Sequence, residues 1–369
     1  MRSELPQLIA LARRLLESDE VGTLSTLISA NGSSYRSIGS LMVGGPPGVF
    51  AGGVSGGCLE EYILRHAREL TRDRSATVLS FDTGSGDVDE AKPVLGCGTS
   101  IDVLVEKLMP DHLEYLQQLA SAYDSDVASI VTCTINGDEN SPTITRRCGA
   151  PSLDEATSNL ARLAMSDRRS YSEQTNAKLR SLVHYVPPIT RLVILGTGDD
   201  VKPVSDLARS LGWHVTTADV RARHARPDRF PSADTVISAP SWDELIDQIQ
   251  FTDNTAILLM THSLPDDVEI LPLLVNKQSA YIGILGPAHR RDGLVQFAMD
   301  AGSINDEFAS RLHGPIGLDL GDRSAPGIAV SVIAEIVAHL NGRDGSPMSS
   351  RSISQNDHQL SHHLSATDA

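Results

Sequence analysis

No apolar run in this chain approaches the roughly 18 residues that a membrane-spanning helix needs, and a helical membrane protein is excluded. A secretory leader is not expected either, because Glu4, Arg13 and Arg14 interrupt the apolar core such a leader requires. Cysteine is scarce: four in 369 residues, irregularly spaced and with no CxxC pair. That excludes a disulfide framework and gives no sign of a zinc site, and it leads us to expect a cytoplasmic protein with reduced thiols. Positive charge is short as well. Lys and Arg number 31 against 47 Asp and Glu, a net charge of −16, which argues against nucleic acid as a partner. An anionic small molecule can still be held, but only by local glycine loops and a few placed arginines.

What is present is a globular chain, 40% hydrophobic and long enough for two domains. The expected fold class is α/β: a small N-terminal α/β domain followed by a Rossmann-like, doubly wound parallel-sheet domain. Residues 4–18 carry Leu5, Leu8, Ile9, Leu11, Ala12, Leu15 and Leu16 on a helical period. A strand over 21–28, a turn at Asn31-Gly32-Ser33-Ser34, a return strand over 39–43, a helix over 60–70 and strands over 77–82 and 101–108 fill out a domain over 1–110. The polar, glycine-rich Asp82-Thr83-Gly84-Ser85-Gly86-Asp87 reads as a mobile loop over Cys97.

Residues 111–188 read as a helix and hairpin connecting region, with Cys133 and Cys148 as structural cysteines and Pro187-Pro188 as the boundary. From 189 to 341 strands alternate with helices: strands over 191–195, 214–219, 234–238, 255–260 and 281–285, helices over 201–211, 241–250 and 266–275, and a closing helix over 328–340. That alternation argues for a parallel doubly wound sheet. Residues 342–369 are rich in Ser, Asp and His and read as a disordered tail, in which His358, His362 and His363 are adventitious metal ligands at most.

Two stretches carry chemistry in the first half. Gly52-Gly53-Val54-Ser55-Gly56-Gly57-Cys58 delivers a cysteine to the start of a helix, and Gly96-Cys97-Gly98 precedes an apolar strand. Glycine permits close backbone approach, and a helix start offers N–H groups and partial positive charge to an anion or a thiolate. The bland alternative is a tight strand-to-helix turn with a small buried cysteine. A helix dipole is worth about 0.3–1 kcal/mol at an exposed site, against about 1.4 kcal/mol per pKa unit. It cannot form a thiolate at pH 7 unaided; a second cause such as Arg36 or a bound metal is needed. Cys58 is thus a candidate ligand, of a soft metal among others, or a sulfur carrier, and no base is assigned to it.

In the second half, Gly196-Thr197-Gly198 ends a strand and opens a helix, and Asp219 ends the next strand about 20 residues on, where a ribose hydroxyl would be read. Val201 stands at the third glycine position. Arg221 has the fork that suits a phosphate; Arg223, Arg226 and Arg229 follow it and read equally as solvated charge. Thr261-His262 ends a further strand at the same edge, where the imidazole would orient a ligand or shuttle a proton, or simply cap a helix. Gly283 and Gly286 bracket the last strand end.

These stretches, together with Gly32-Ser33-Ser34-Tyr35-Arg36, Gly39-Ser40-Leu41-Met42-Val43, Tyr281-Ile282-Gly283-Ile284-Leu285-Gly286 and Pro315-Ile316-Gly317-Leu318-Asp319, resemble the XdhC/CoxI family in the order such proteins show. The resemblance implies an accessory factor of xanthine dehydrogenase-type molybdenum hydroxylases. Such a factor binds molybdenum cofactor (molybdopterin), supports its sulfuration by a cysteine desulfurase or sulfurtransferase, and inserts it into the apo molybdenum hydroxylase. It implies a homodimer and a cofactor chaperone rather than a stand-alone enzyme. The implied cofactor-binding residues are Gly56, Gly57, Cys58, Cys97, Arg36, Gly196, Gly198, Asp219, Arg221, His262 and Gly286. The chain departs from the family pattern at Tyr35, Val201, Pro287 and Ala325-Pro326-Gly327. Two other classes stand beside this reading: an oxidoreductase that binds NAD(P) in the Rossmann-like half, and a scaffold whose Rossmann-like half only dimerises.

Overall fold

The computed structural model describes residues 1–18, 20–31, 34–72, 75–81, 100–138, 142–148 and 155–350. The expectations that fall on Cys97, on the Asp82–Asp87 loop, on Gly32 and Ser33 and on the tail beyond residue 350 lie outside the described residues. The chain divides into two compact units, Met1–Thr190 and Arg191–Ala369. No helix of the described residues is long and apolar enough to cross a membrane.

The first unit runs α1 (Leu5–Leu16), β1 (Thr23–Asn31), β2 (Leu41–Gly44), β3 (Phe50–Gly52), α2 (Cys58–Leu70), β4 (Ala76–Phe81), β5 (Ser100–Lys107), α3 (Pro110–Tyr123), β6 (Ser129–Asn136), β7 (Thr143–Cys148), α4 (Glu155–Asp167), β8 (Tyr171–Asn176) and β9 (Leu179–Val186). A five-stranded antiparallel sheet, ordered β3-β2-β1-β5-β4, packs on a four-stranded one ordered β7-β6-β9-β8. Between them Ile28 and Leu104 of the first sheet meet Cys133, Ile135 and Leu182 of the second. Leu59 and Ile63 of α2 cover the outer face of the first sheet, against Leu27, Val103 and Val105. Leu160, Ala161 and Ala164 of α4 cover the outer face of the second, against Ile130 and Val183. Burying these apolar faces is the main term holding the layers together.

This corrects the expected division of the first half. Residues 111–188 do contain the helix and the hairpin, but they are a layer of the first unit and not a connection, because β8 and β9 complete a second sheet whose inner face shares the core. Cys133 is buried, and burial pushes its thiol up to about 11, as a structural cysteine should be. Cys148 is exposed, so the structural reading holds for one of the two.

Two buried polar groups tie the layers of this unit. Glu106 of β5 accepts from Arg146 of β7 through both guanidinium nitrogens and lies 3.3 Å from His112 Nε2 of α3. Burial alone would raise its carboxyl, yet the His112 and Arg146 partners hold it near 2. His184 of β9 is buried with its ring nitrogens 2.9 Å from Tyr123 Oη and 3.0 Å from Ser170 Oγ. Gly39 sits directly on this imidazole: at φ +90°, a Cβ there would lie 2.2 Å from Nδ1, which gives the glycine of the Gly39-Ser40-Leu41 motif a physical reason.

Burial pushes His184 down from 6.5 to about 4. The unfolded chain binds a proton at this position below about 6.5, whereas the folded chain does so only below about 4. Stability is therefore complete above pH 6.5 and declines as pH falls toward 4, by about 3 kcal/mol in total. We expect urea unfolding of His184→Gln to lose most of that slope between pH 6.5 and 4.5 while keeping the loss at lower pH, where Glu106 titrates in the unfolded chain. A wild-type slope retained in the variant would overturn the assignment.

The second unit runs β10 (Arg191–Leu195), α5 (Val201–Ser210), β11 (His214–Ala218), β12 (Thr235–Ile237), α6 (Trp242–Ile246), β13 (Thr255–Leu259), α7 (Leu264–Leu273), β14 (Tyr281–Ile284), α8 (Ala288–Asp300), α9 (Asp306–Ser310), β15 (Leu312–His313) and α10 (Ala325–Leu340). Its six strands are parallel and ordered β12-β11-β10-β13-β14-β15. Numbered within the unit this is 3-2-1-4-5-6, the doubly wound Rossmann order. Helices α6 to α9 pack on one face and α5 with α10 on the other. The central strands β10 and β13 read as apolar runs because both faces are covered. The order reverses between β10 and β13, which opens a crevice at the carboxyl ends of those strands.

Candidate functional site

The crevice of the second unit is built from four strand ends. After β10 the chain turns at Gly196, whose φ is +125°. A Cβ here would lie 2.2 Å from the Met260 carbonyl oxygen and 2.9 Å from the Thr261 nitrogen, so only glycine lets the loop pass the end of β13. Val201, at the third glycine position of the dinucleotide pattern, is fully buried against Leu192 and Ile194. It seats α5 on the sheet by apolar packing.

After β11, Asp219 is completely buried. Its Oδ1 accepts from the Arg221 backbone N–H at 2.8 Å and from Arg221 Nε at 2.9 Å. Its Oδ2 accepts from Arg221 Nη2 at 2.7 Å and from Thr197 Oγ1 at 2.6 Å. Burial would raise this carboxyl, but the Arg221 and Thr197 hydrogen bonds outweigh it and hold the group below the usual range. A carboxylate offers about four lone-pair sites, and these four bonds fill them. The two residues expected to read a ribose and a phosphate are therefore bonded to each other.

After β13, Thr261 Oγ1 donates to Asp267 Oδ1 at 2.5 Å, and Asp267 Oδ2 accepts from Arg290 Nη2 at 2.7 Å. Asp267 is 1% exposed; it lies in the first turn of α7, and Arg290 in the first turn of α8. This chain of bonds fixes the turn in which His262 adopts φ +57°, a left-handed conformation that a side chain disfavours. The imidazole is half exposed and its Nε2 lies 2.8 Å from Asp200 Oδ2. A carboxylate only accepts, so the imidazole donates to it from Nε2. Asp200, turned to His262, makes no cap to α5, whose first amides face the same edge. Gly286, at φ +133°, follows β14 and lies over the Arg290 side chain.

In the first unit, Cys58 is the first residue of α2 and follows Gly57, whose φ is +117°. Gly56 and Gly57 are exposed, and nothing lies within 4 Å of where a Cβ on either would sit. Arg36 reaches the beginning of the turn, beside Gly53, but its Nη1 is held by Glu4 Oε1 at 2.7 Å; its charge already has a partner. Among the described residues, no group of three or more His, Cys, Asp or Glu is arranged to hold a metal ion.

The amides of the turn already have an anion. Glu60, three residues past Gly57, is 2% exposed. Its Oε1 accepts from the Val54 and Ser55 amides at 2.9 and 2.7 Å, and its Oε2 accepts from the Gly57 amide at 3.0 Å and from Ser55 Oγ. Sequence reasoning missed Glu60, although a Glu three residues after a helix N-cap is the reach-back half of a capping box. It also missed Thr197, Asp200, Asp267 and Arg290, whose partners lie on other strand ends and leave no local signal.

Residues 192–336 match the XdhC Rossmann domain, and residues 15–82 match the XdhC and CoxI family. A Bacillus subtilis protein named as a probable xanthine dehydrogenase subunit is 27% identical over 325 residues, covering 88% of this chain and 94% of its own. The Escherichia coli molybdenum cofactor insertion chaperone PaoD is 23% identical over 339 residues, covering 90% of this chain and 87% of its own. The crystal structure of a xanthine dehydrogenase from Bacillus halodurans shares the fold, with a TM-score of 0.71 at 24% identity over 93% of this chain and 97% of that one.

Proposed function

Because the chain belongs to the XdhC and CoxI family and carries both of its domains, we propose that it is an accessory factor that binds molybdenum cofactor as cargo. It supports sulfuration of that cargo and hands it to a xanthine dehydrogenase-type apo-hydroxylase. The observation that carries the reading is the match along nearly the whole chain to a protein named as a molybdenum cofactor insertion chaperone. The residues fit. Cys58 stands at a helix start preceded by two exposed, unobstructed glycines, where a thiolate would meet a soft metal or sulfur group. In the second unit the crevice offers the His262 imidazole and the loop amides ahead of α5, groups that suit a pterin and its phosphate. The sulfur donor is a cysteine desulfurase or sulfurtransferase, and the factor works as a homodimer.

The Rossmann strand order favours one other reading, an NAD(P)-dependent oxidoreductase. Its ribose reader would be Asp219, and that carboxylate has no acceptor site left. Binding a dinucleotide there requires breaking the Arg221 fork, so we expect NAD(P) affinity to be weak.

The test incubates the purified protein anaerobically with released molybdenum cofactor, gel-filters it, oxidises the pterin and reads its fluorescence, with excess NAD as competitor. Retention near one pterin per chain, indifferent to NAD, is expected. No retained pterin alongside saturable NAD binding would overturn the reading. Cys58→Ala should lower retention or sulfuration severalfold; unchanged behaviour in both assays would remove Cys58 from the site.

A further inference from the structure

The turn that presents Cys58 has the form of an anion nest, and the anion in it is the chain's own. Successive amides curl around a concavity ahead of α2, the arrangement that elsewhere receives phosphates. Here Val54, Ser55 and Gly57 all donate to Glu60, and the Ser55 hydroxyl adds a fourth bond. A capping-box glutamate needs only the N-cap amide. Glu60 takes two earlier amides as well, which places its carboxylate at the centre of the loop. The Ser55 hydroxyl in turn accepts from the Leu59 amide at 3.3 Å, which fixes the first turn of the helix to the same carboxylate. Every lone pair of Glu60 is occupied, and the group is almost entirely shielded from water.

We propose that Glu60 is the internal anion of the Cys58 turn: it closes the amide nest to phosphate and is a positioning residue for Cys58, so that this turn meets the uncharged sulfur- or metal-bearing end of a ligand. The carboxylate belongs to the turn and cannot diffuse away, whereas a free phosphate must both dislodge it and be dehydrated. The same negative charge offsets the partial positive charge of the α2 N-terminus. A cofactor with a phosphate at one end and a thiol- or metal-bearing group at the other is thereby oriented, with its phosphate held elsewhere. That last consequence rests on the cofactor reading, from which the proposal takes only the premise that Cys58 is the residue the ligand meets.

The test needs no cofactor. Full-length wild type, Glu60→Ala and Glu60→Gln are unfolded with urea and alkylated with iodoacetamide across pH 6–9, each with and without inorganic phosphate, and Cys58 labelling is read by mass spectrometry of its peptide. Glu60→Ala should lose stability that inorganic phosphate restores saturably, while wild type does not respond. Cys58 in Glu60→Gln should be alkylated about three- to tenfold faster at pH 7, as expected when the helix start that carries it loses its internal anion. Phosphate should slow Cys58 alkylation in Glu60→Ala. Phosphate that stabilises all three proteins alike, or an unchanged Cys58 rate in Glu60→Gln, would overturn the proposal even if Glu60→Ala does not fold. Pterin retention failing while these responses hold would overturn the cofactor reading and leave the role of Glu60 intact.

Discussion

Arg146→Ala is expected to lower the stability of the first unit by about 3–5 kcal/mol, the usual consequence of leaving a buried carboxylate without its counter-ion. Arg146 is the cationic partner of Glu106 and also stacks over the Tyr115 ring, with its guanidinium carbon 5.0 Å from the centroid. The remaining partner, His112, does not replace it. Its Nδ1 accepts the Met109 amide at 3.0 Å, so the ring that faces Glu106 is a neutral donor rather than a cation. The diagnostic control is the double variant Glu106→Gln, Arg146→Met, which removes both charges and should recover most of the loss. Urea unfolding followed by far-ultraviolet circular dichroism measures both. A loss below about 1 kcal/mol for the single variant, or no recovery in the double, would show that the pair is not the tie described.

Gly196→Ala should cost about 3–5 kcal/mol in the second unit. The left-handed backbone alone penalises a side chain by about 1–2 kcal/mol, and the added methyl would meet the Met260 carbonyl and the Thr261 nitrogen, backbone atoms that cannot step aside as a flexible side chain would. Relief requires β10 and β13 to part at the crevice, which would also displace the Thr261-His262 turn. Both tryptophans, Trp213 and Trp242, lie in this unit, so tryptophan fluorescence reads its unfolding selectively. A shift under about 1 kcal/mol would mean that the loop tolerates a side chain and that the glycine has another purpose.

The second unit was the more legible half of the sequence. Its strands are short apolar runs bounded by turn residues, and the alternation with helices led directly to the parallel doubly wound sheet found in the structure. The glycine at Gly196 was legible because a strand-to-helix turn makes the same demand on any chain. In the first half, β8 and β9 were not foreseen. Tyr171-Ser172-Glu173-Gln174-Thr175-Asn176 is polar because β8 is an edge strand with few buried residues, and an edge strand gives little periodicity to read. The site was legible in its residue types but not in its pairings. Asp219 and Arg221 stood out as ligand readers, yet nothing in their spacing told that they would bind each other. The role of Glu60 at the turn was not read from the sequence, although its spacing from Gly57 is a recognisable helix-start signature.

The face-to-face packing of the two antiparallel sheets sets the modularity of this protein. Recognisable family sequence in the first half ends at residue 82, and an N-terminal piece cut near there or at 110 would look like a domain on paper. It would strip the cover from Ile28 and Leu104 and leave Gly39 facing empty space where the His184 ring belongs. We therefore expect the smallest autonomous piece of the first half to be the whole of residues 1–190, with the less recognisable stretch doing as much structural duty as the recognisable one.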